Sequence, residues 1–354
     1  MTATGLDAVV RRRLGSFELD MALRIEPGET VALLGPNGAG KSTTVSALSG
    51  WSGPSSGTHI QLAGRELDGD DVFVYPEHRR IGVVSQDPLL FEHLTVLDNV
   101  AFAARSRGAS RRASRRDAQP WLERLDLADI SARTTRDLSG GQAQRVAIAR
   151  ALAAEPDLLL FDEPLSALDV ESRTVVRRML RTHLEAFTGP RLLITHDPGD
   201  AVLLADRLDV IENGRITQSG SVDAIRRAPT TEYAAALAGT NLFTGTANAG
   251  AVLMNAYDHS LTIADTSLMG AVLLTIHPAA VSLHPERPSG SHRNTWPSTV
   301  ELLEPLGDIV RVTLGAPLPV AVDVTPAAVA SLGLAPGSSV WAAVKATEIN
   351  STPA

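Results

Sequence analysis

Gly35-Pro36-Asn37-Gly38-Ala39-Gly40-Lys41-Ser42-Thr43 fits the pattern G-x-x-x-x-G-K-[ST]. Its chemistry is that of an anion cradle. The three glycines let the backbone curl so that successive N–H groups face phosphate oxygens. Lys41 can reach the β- and γ-phosphates, and the Ser42 hydroxyl can ligate Mg²⁺. Further along, Asp162-Glu163 ends an aliphatic run. There Asp162 can hold Mg²⁺ through water, and Glu163 can polarise an attacking water. Ser139-Gly140-Gly141-Gln142 can open a helix with unpaired N–H groups, a second anion site, although the same residues also make an ordinary capped helix start. His196 follows the run Leu192-Leu193-Ile194-Thr195. Taken alone, it suits a structural role as well as a catalytic one.

Such residues need strands and helices to aim them. Thr30–Leu34 is β-branched and aliphatic, as a buried parallel strand should be, and residues 41–48 read as a helix stopped by Ser49-Gly50. Further strands are expected at 81–84, 158–161 and 192–195, and helices at 142–153, 170–186 and 199–204. The alternation predicts an α/β core with a largely parallel sheet. Asn213-Gly214 predicts a hairpin closing that sheet. Residues 94–136 read as helical and carry Arg105, Arg107, Arg111, Arg112, Arg115 and Arg116. A solvated face is the expectation, with an anionic-lipid patch as the alternative. After Gly239 short apolar runs alternate with Gly, Pro, Asn and Asp, which predicts a small β-barrel or sandwich. Residues 285–297, rich in Pro, Ser, Gly and His, read as an exposed loop.

The chain's 354 residues exceed the ~100–200 of one domain, so two domains are expected. A net charge of −8 argues against a nucleic-acid partner. Without cysteine, thiol catalysis and Cys-ligated metals are excluded. No run approaches the ~18 apolar residues of a membrane span, and the N-terminal stretch lacks the basic-then-apolar order of a secretory signal. A soluble chain follows, whose membrane role would come through a partner.

LSGGQ, followed by an aliphatic strand ending in Asp-Glu, resembles the signature of ABC-type ATPases. The implied fold is an α/β P-loop NTPase of ABC type over residues 1–238, with a helical subdomain at about 90–150. The resemblance gives roles to further residues. Gln86 matches the loop glutamine that touches Mg²⁺, the water and the membrane partner; Asp169 belongs to the D-loop; His196 matches the switch histidine at the γ-phosphate. It also implies a head-to-tail homodimer, in which Ser139–Gln142 of one copy closes over ATP held by the 35–43 loop of the other. Where the family stacks adenine on an aromatic residue, this chain has Leu14, and Phe17 is the ring nearby, either base-stacking or part of the core.

Residues 239–354 resemble the all-β, OB-like TOBE and molybdate-binding modules, in Arg293-Asn294, Glu304-Pro305-Leu306-Gly307 and Val344-Lys345-Ala346-Thr347. The whole then resembles the ATPase subunit of a molybdate or tungstate importer, with sulfate, iron, sugar or polyamine import as the alternative. A non-transport ABC protein is the reading from another class, disfavoured by the acidic charge. The implied partners are transmembrane permease subunits and an extracytoplasmic anion-binding protein, and the implied place is the cytoplasmic face of the membrane. Ser291, Arg293 and Lys345 are candidates to hold an oxyanion in the tail, which otherwise serves as a structural or dimerisation domain.

Overall fold

The computed structural model describes residues 5–354, so the first four residues of the N-terminal stretch read above lie outside it. It divides into two compact units, one up to Val222 and one from Asp223 onwards.

The first unit opens with a sheet that the motif reading did not foresee. Strands β1 (Leu6–Leu14) and β2 (Phe17–Ile25) pair antiparallel through the turn at Gly15-Ser16. Their side chains alternate in burial: Leu6, Ala8 and Val10 point inward, as do Leu19, Met21 and Leu23. That period of two was visible in LDAVVRRRL and FELDMALRI. After β3 (Thr30–Leu34) come β4 (His59–Leu62) and β5 (Arg65–Asp68), which extend the first sheet in the order β2-β1-β4-β5.

The second sheet adds β6 (Ile81–Val84), β7 (Leu158–Asp162), β8 (Arg191–Ile194), β9 (Arg207–Glu212) and β10 (Arg215–Gly220) to β3. Its order is β10-β9-β3-β8-β7-β6, parallel except for the β9–β10 hairpin across Asn213-Gly214. Every residue of β3 and β8 is buried, because both faces of the sheet are covered.

The helices of this first unit include α1 (Lys41–Ser49), α2 (Val96–Val100), α3 (Phe102–Ser106), α4 (Arg111–Arg124), α5 (Gly140–Ala153), α6 (Val170–Glu185) and α7 (Pro198–Leu204). Thr95 and Ser110 cap α2 and α4 through their hydroxyls. Leu122 and Leu125 pack with Val146 and Ile148 in one cluster. The arginine-rich stretch is partly consumed within the chain. Arg115 donates twice to Asp98, at 2.8 and 2.6 Å, Arg107 donates to the Ala154 carbonyl, and Arg116 pairs with Asp117.

The second unit holds two five-stranded antiparallel sheets, ordered β13-β12-β11-β14-β20 and β15-β19-β16-β17-β18. The first comprises β11 (Asn241–Asn248), β12 (Ala251–Met254), β13 (Ser260–Thr262), β14 (Gly270–Ile276) and β20 (Ile349–Pro353). The second comprises β15 (Ser282–His284), β16 (Asn294–Leu306), β17 (Ile309–Leu314), β18 (Val320–Val324) and β19 (Ser339–Val344). One correction concerns the expected exposed loop at 285–297. It ends at Arg293: residues 294–297 are strand, and Trp296 is among the most completely buried side chains. Pro297 is tolerated because this half of β16 pairs with β19 on one side, while β17 joins only from Val300.

Candidate nucleotide site

The tertiary structure gathers the carboxyl ends of four neighbouring parallel strands, where α/β sheets place their ligands. The glycine loop leaves β3, His196 follows β8, Asp162 and Glu163 end β7, and Gln86 follows β6. Register makes these ends level: Leu33 and Asp162 both face Ile194, and Val84 faces Phe161.

The loop's glycines differ in what they do. Gly38 and Gly40 adopt left-handed backbone, φ 80° and 109°, and Gly40 is the N-cap of α1. Gly35 has ordinary backbone. It is needed for room, because a Cβ there would lie 2.1 Å from the Ile211 carbonyl oxygen. Lys41 is folded onto the loop, its Nζ donating to the carbonyls of Gly35 and Pro36 at 2.7 and 2.9 Å. Burial lowers its pKa below the ordinary lysine value, while Glu163 and Asp162 pull it back up.

The Ser42 hydroxyl stands beside the Asp162 carboxylate and favours its charged form. Burial, and then the charge of Glu163, raise its carboxyl above the usual aspartate range, with Ser42 and Lys41 opposing. Glu163 takes left-handed backbone, φ 51°, and its Oε2 lies 3.2 Å from His196 Nδ1. Lys41, Ser42, Asp162, Glu163 and His196 thus gather at one end of the sheet, Glu163 bonded to His196 and both carboxylates acting electrostatically on Lys41. Gln86 stands exposed on the adjoining strand end. The loop after it is held by two α5 side chains the sequence reading missed. Gln144 donates to the Ser85 carbonyl, and Arg150 donates to the carbonyls of Pro88 and Leu89. Their only sequence signal is their i, i+6 placement on the helix that follows LSGGQ.

Ser139–Gln142 lies elsewhere. Ser139 caps α5 in a capping box, its hydroxyl accepting from the Gln142 N–H and the Gln142 side chain accepting from the Ser139 N–H at 3.0 Å. A Cβ on Gly140 would meet nothing within 4 Å, whereas one on Gly141 would touch Ser172 of α6. Asp169 caps α6 by accepting from the Ser172 N–H at 2.9 Å, which holds its carboxyl below the usual range. Phe17 rests against the cradle, 3.1 Å from where a Gly40 Cβ would stand, and packs on the buried cluster around Leu19 and Val45. Leu14 is exposed. In the second unit, Arg293 and Lys345 flank the paired residues Asn294 and Val344, and with Ser291 they are exposed.

Comparison with known proteins accords with this site. Residues 19–166 match the ABC transporter family and residues 290–350 the TOBE domain. The chain is 40% identical, over its whole length and 98% of the relative's, to the molybdenum import ATP-binding protein of Mycobacterium tuberculosis. It is 32% identical, over 94% of its length and 95% of the relative's, to a molybdate/tungstate import ATP-binding protein of Pyrococcus horikoshii. Relatives named for iron, sulfate or polyamine import cover between 63% and 80% of the chain. A solved dimeric ATP-binding cassette, described as a post-hydrolysis state bound to ADP and phosphate, is 28% identical with a TM-score of 0.53, covering 61% of this chain and 98% of its own. The chain belongs to the ABC transporter family of ATP-binding proteins. Among the described residues no helix is long and apolar enough to cross a membrane.

Proposed function

We propose that this ABC-family chain hydrolyses ATP to energise the import of molybdate or tungstate, working as one of a pair against a transmembrane permease at the cytoplasmic face of the membrane. An extracytoplasmic protein would deliver the anion. The observation that carries the ATPase reading is the convergence of the glycine loop, Asp162, Glu163 and His196 at one end of the parallel sheet. The anion is supported by the near-complete coverage of relatives named for molybdenum and tungstate import.

The residues take their roles from their positions. The N–H groups of residues 35–43 and the start of α1 receive the phosphates, favoured by the helix dipole. Lys41 exchanges its carbonyl contacts for phosphate oxygens. Ser42 and Asp162, with Gln86 nearby, fit Mg²⁺: a hydroxyl stands beside a carboxylate, with a second carboxylate, Glu163, close enough to raise the pKa of Asp162, a charge a cation would offset. Mg²⁺ there would neutralise charge on the phosphates. Glu163 orients the attacking water and draws its proton, and His196, bonded to Glu163, faces the γ-phosphate. Ser139–Gln142 stands apart from this group. Its exposed Gly140 and helix N-terminus suit the nucleotide of a second copy, with Asp169 beside it. Phe17 is read as packing under the loop rather than on the base. Ser291, Arg293 and Lys345 would hold the oxyanion in the tail.

The test is uptake by cells in which this gene is deleted and then restored. Loss of molybdate uptake, with sulfate, iron and polyamine uptake retained, supports the assignment. Retained molybdate uptake with loss of another substrate overturns it.

A further inference from the structure

Arg173, in the first turn of α6, hydrogen-bonds to both segments that carry the Glu163–His196 pair. Its Nε donates to the carbonyl of Leu165, two residues after Glu163, at 3.2 Å, and its Nη1 donates to Asp197 Oδ2, one residue after His196, at 2.9 Å. Asp197 is itself fixed. Its Oδ1 accepts from the Gly199 N–H at 2.7 Å, and Arg177 reaches its Oδ2 at 3.5 Å while pairing with Asp200. On the other side, the Glu163 carbonyl accepts from the Ser166 hydroxyl at 2.9 Å, and the Glu163 N–H donates to the Ile194 carbonyl at 2.9 Å. The same turn of α6 carries Ser172, which lies against Gly141 at the start of α5.

We propose that Arg173 is a positioning residue, holding the Glu163 and His196 segments in register and passing any shift of the first turn of α6 to both. This rests on the reading of Glu163 and His196 as the groups acting at the γ-phosphate. The chemistry suits arginine. Its planar fork presents separated donors in fixed directions, so one guanidinium serves a carbonyl and a carboxylate on different loops. A lysine ammonium keeps the charge, but as a single point it cannot reproduce that geometry. Both side chains of the Arg173–Asp197 pair are about a quarter exposed, so its worth lies in geometry more than in stability.

The experiment uses the purified full chain and its Arg173→Met, Arg173→Lys, Asp197→Asn and Arg173→Met/Asp197→Asn variants. Asp197→Asn keeps an oxygen to cap α7 while removing the charge. Phosphate release, fluorescent-ATP affinity and thermal midpoint are measured for each. The expectation is a kcat lower by about 10-fold or more in every single variant, with nucleotide Kd changed by less than about twofold, as misalignment of reacting groups predicts. The double variant should be no slower than the worse single one, since both remove the same link. A kcat within about twofold of the parent overturns the proposal, as does a loss of kcat that only follows loss of nucleotide binding or of the folded state. Glu163→Gln, measured beside them, separates the two layers. If it hydrolyses ATP like the parent, the reading of the site fails. If it is inactive while the Arg173 and Asp197 variants turn over normally, only the positioning role fails.

Discussion

His196 and Glu163 meet Nδ1 to Oε2 at 3.2 Å, although 33 positions separate them and they end different strands. Glu163 leaves β7 in the left-handed region, which costs a non-glycine residue on the order of 1 kcal/mol.

The first prediction follows from that strain. Glu163→Gln should lower phosphate release by roughly 100-fold or more with ATP affinity unchanged, since the amide cannot take a proton. Glu163→Gly should be as inactive yet more stable, by up to about 1 kcal/mol in denaturant unfolding, because glycine adopts the left-handed backbone freely. A Glu163→Gly variant that is less stable than the parent would contradict the strain argument.

Two glycines near phosphate-binding turns should behave in opposite ways. Gly35→Ala puts a Cβ 2.1 Å from the Ile211 carbonyl oxygen, so the chain should lose about 2 kcal/mol or more of stability. Gly140→Ala meets open space and should change stability by less than about 1 kcal/mol. If a second copy's nucleotide docks at Gly140, the same variant should nevertheless lose most of its ATPase activity. Thermal unfolding and phosphate release on one preparation decide the matter.

Asp98 gives a pH dependence. The hydrogen bond from Arg115 holds its carboxyl below the usual aspartate range, with Arg111 and Thr95 assisting. A folded-state value below the unfolded one means the folded state releases the proton more readily. The contribution is therefore full above about pH 4, the unfolded value, and is lost as pH falls through the folded one. Asp98→Asn should cost about 1–2 kcal/mol at pH 7, a figure reduced because Arg115 is partly exposed, and should flatten the acid limb of the stability curve. Urea unfolding from pH 3 to pH 7 tests both.

Leu14 faces Phe17 across the β1–β2 turn, and the Phe17 ring supports Gly40. Phe17→Ala should therefore destabilise the fold by about 2 kcal/mol, a discounted core-aromatic loss because the ring is only partly buried. Leu14→Tyr should leave stability within about 0.5 kcal/mol, the range of exposed substitutions. If Leu14 lies beside the adenine, it should tighten ATP binding by about 0.5–1.5 kcal/mol, the worth of an aromatic stack. Fluorescent-ATP titration reads the difference.

Much of the core was legible because its signals are local. Thr30–Leu34 into GPNGAGKST is a strand, a turn and a helix within 20 residues of chain, and Asn213-Gly214 between two apolar runs is a strong local hairpin signal. Trp296 was misplaced because proline and serine neighbours mark loops. Whether Pro297 can enter a strand depends on which side of β16 has a partner, and only the sheet order shows that. The β1–β2 hairpin was not foreseen, although its two strands alternate apolar and polar residues.

By itself the amino-acid sequence determined the chemistry: which groups cradle phosphate, which carboxylates stand ready, and that the chain belongs with ABC-type ATPases. Only the tertiary structure decided the relations between them. It set the strand order that brings β7 and β8 side by side, the room that makes Gly35 a glycine, the fold-back of Lys41 and the reach of Arg173 to two loops. Residue types act through bonds and charge within a few ångströms. Which distant residues come within those few ångströms is fixed by strand register and packing, and no single segment encodes either.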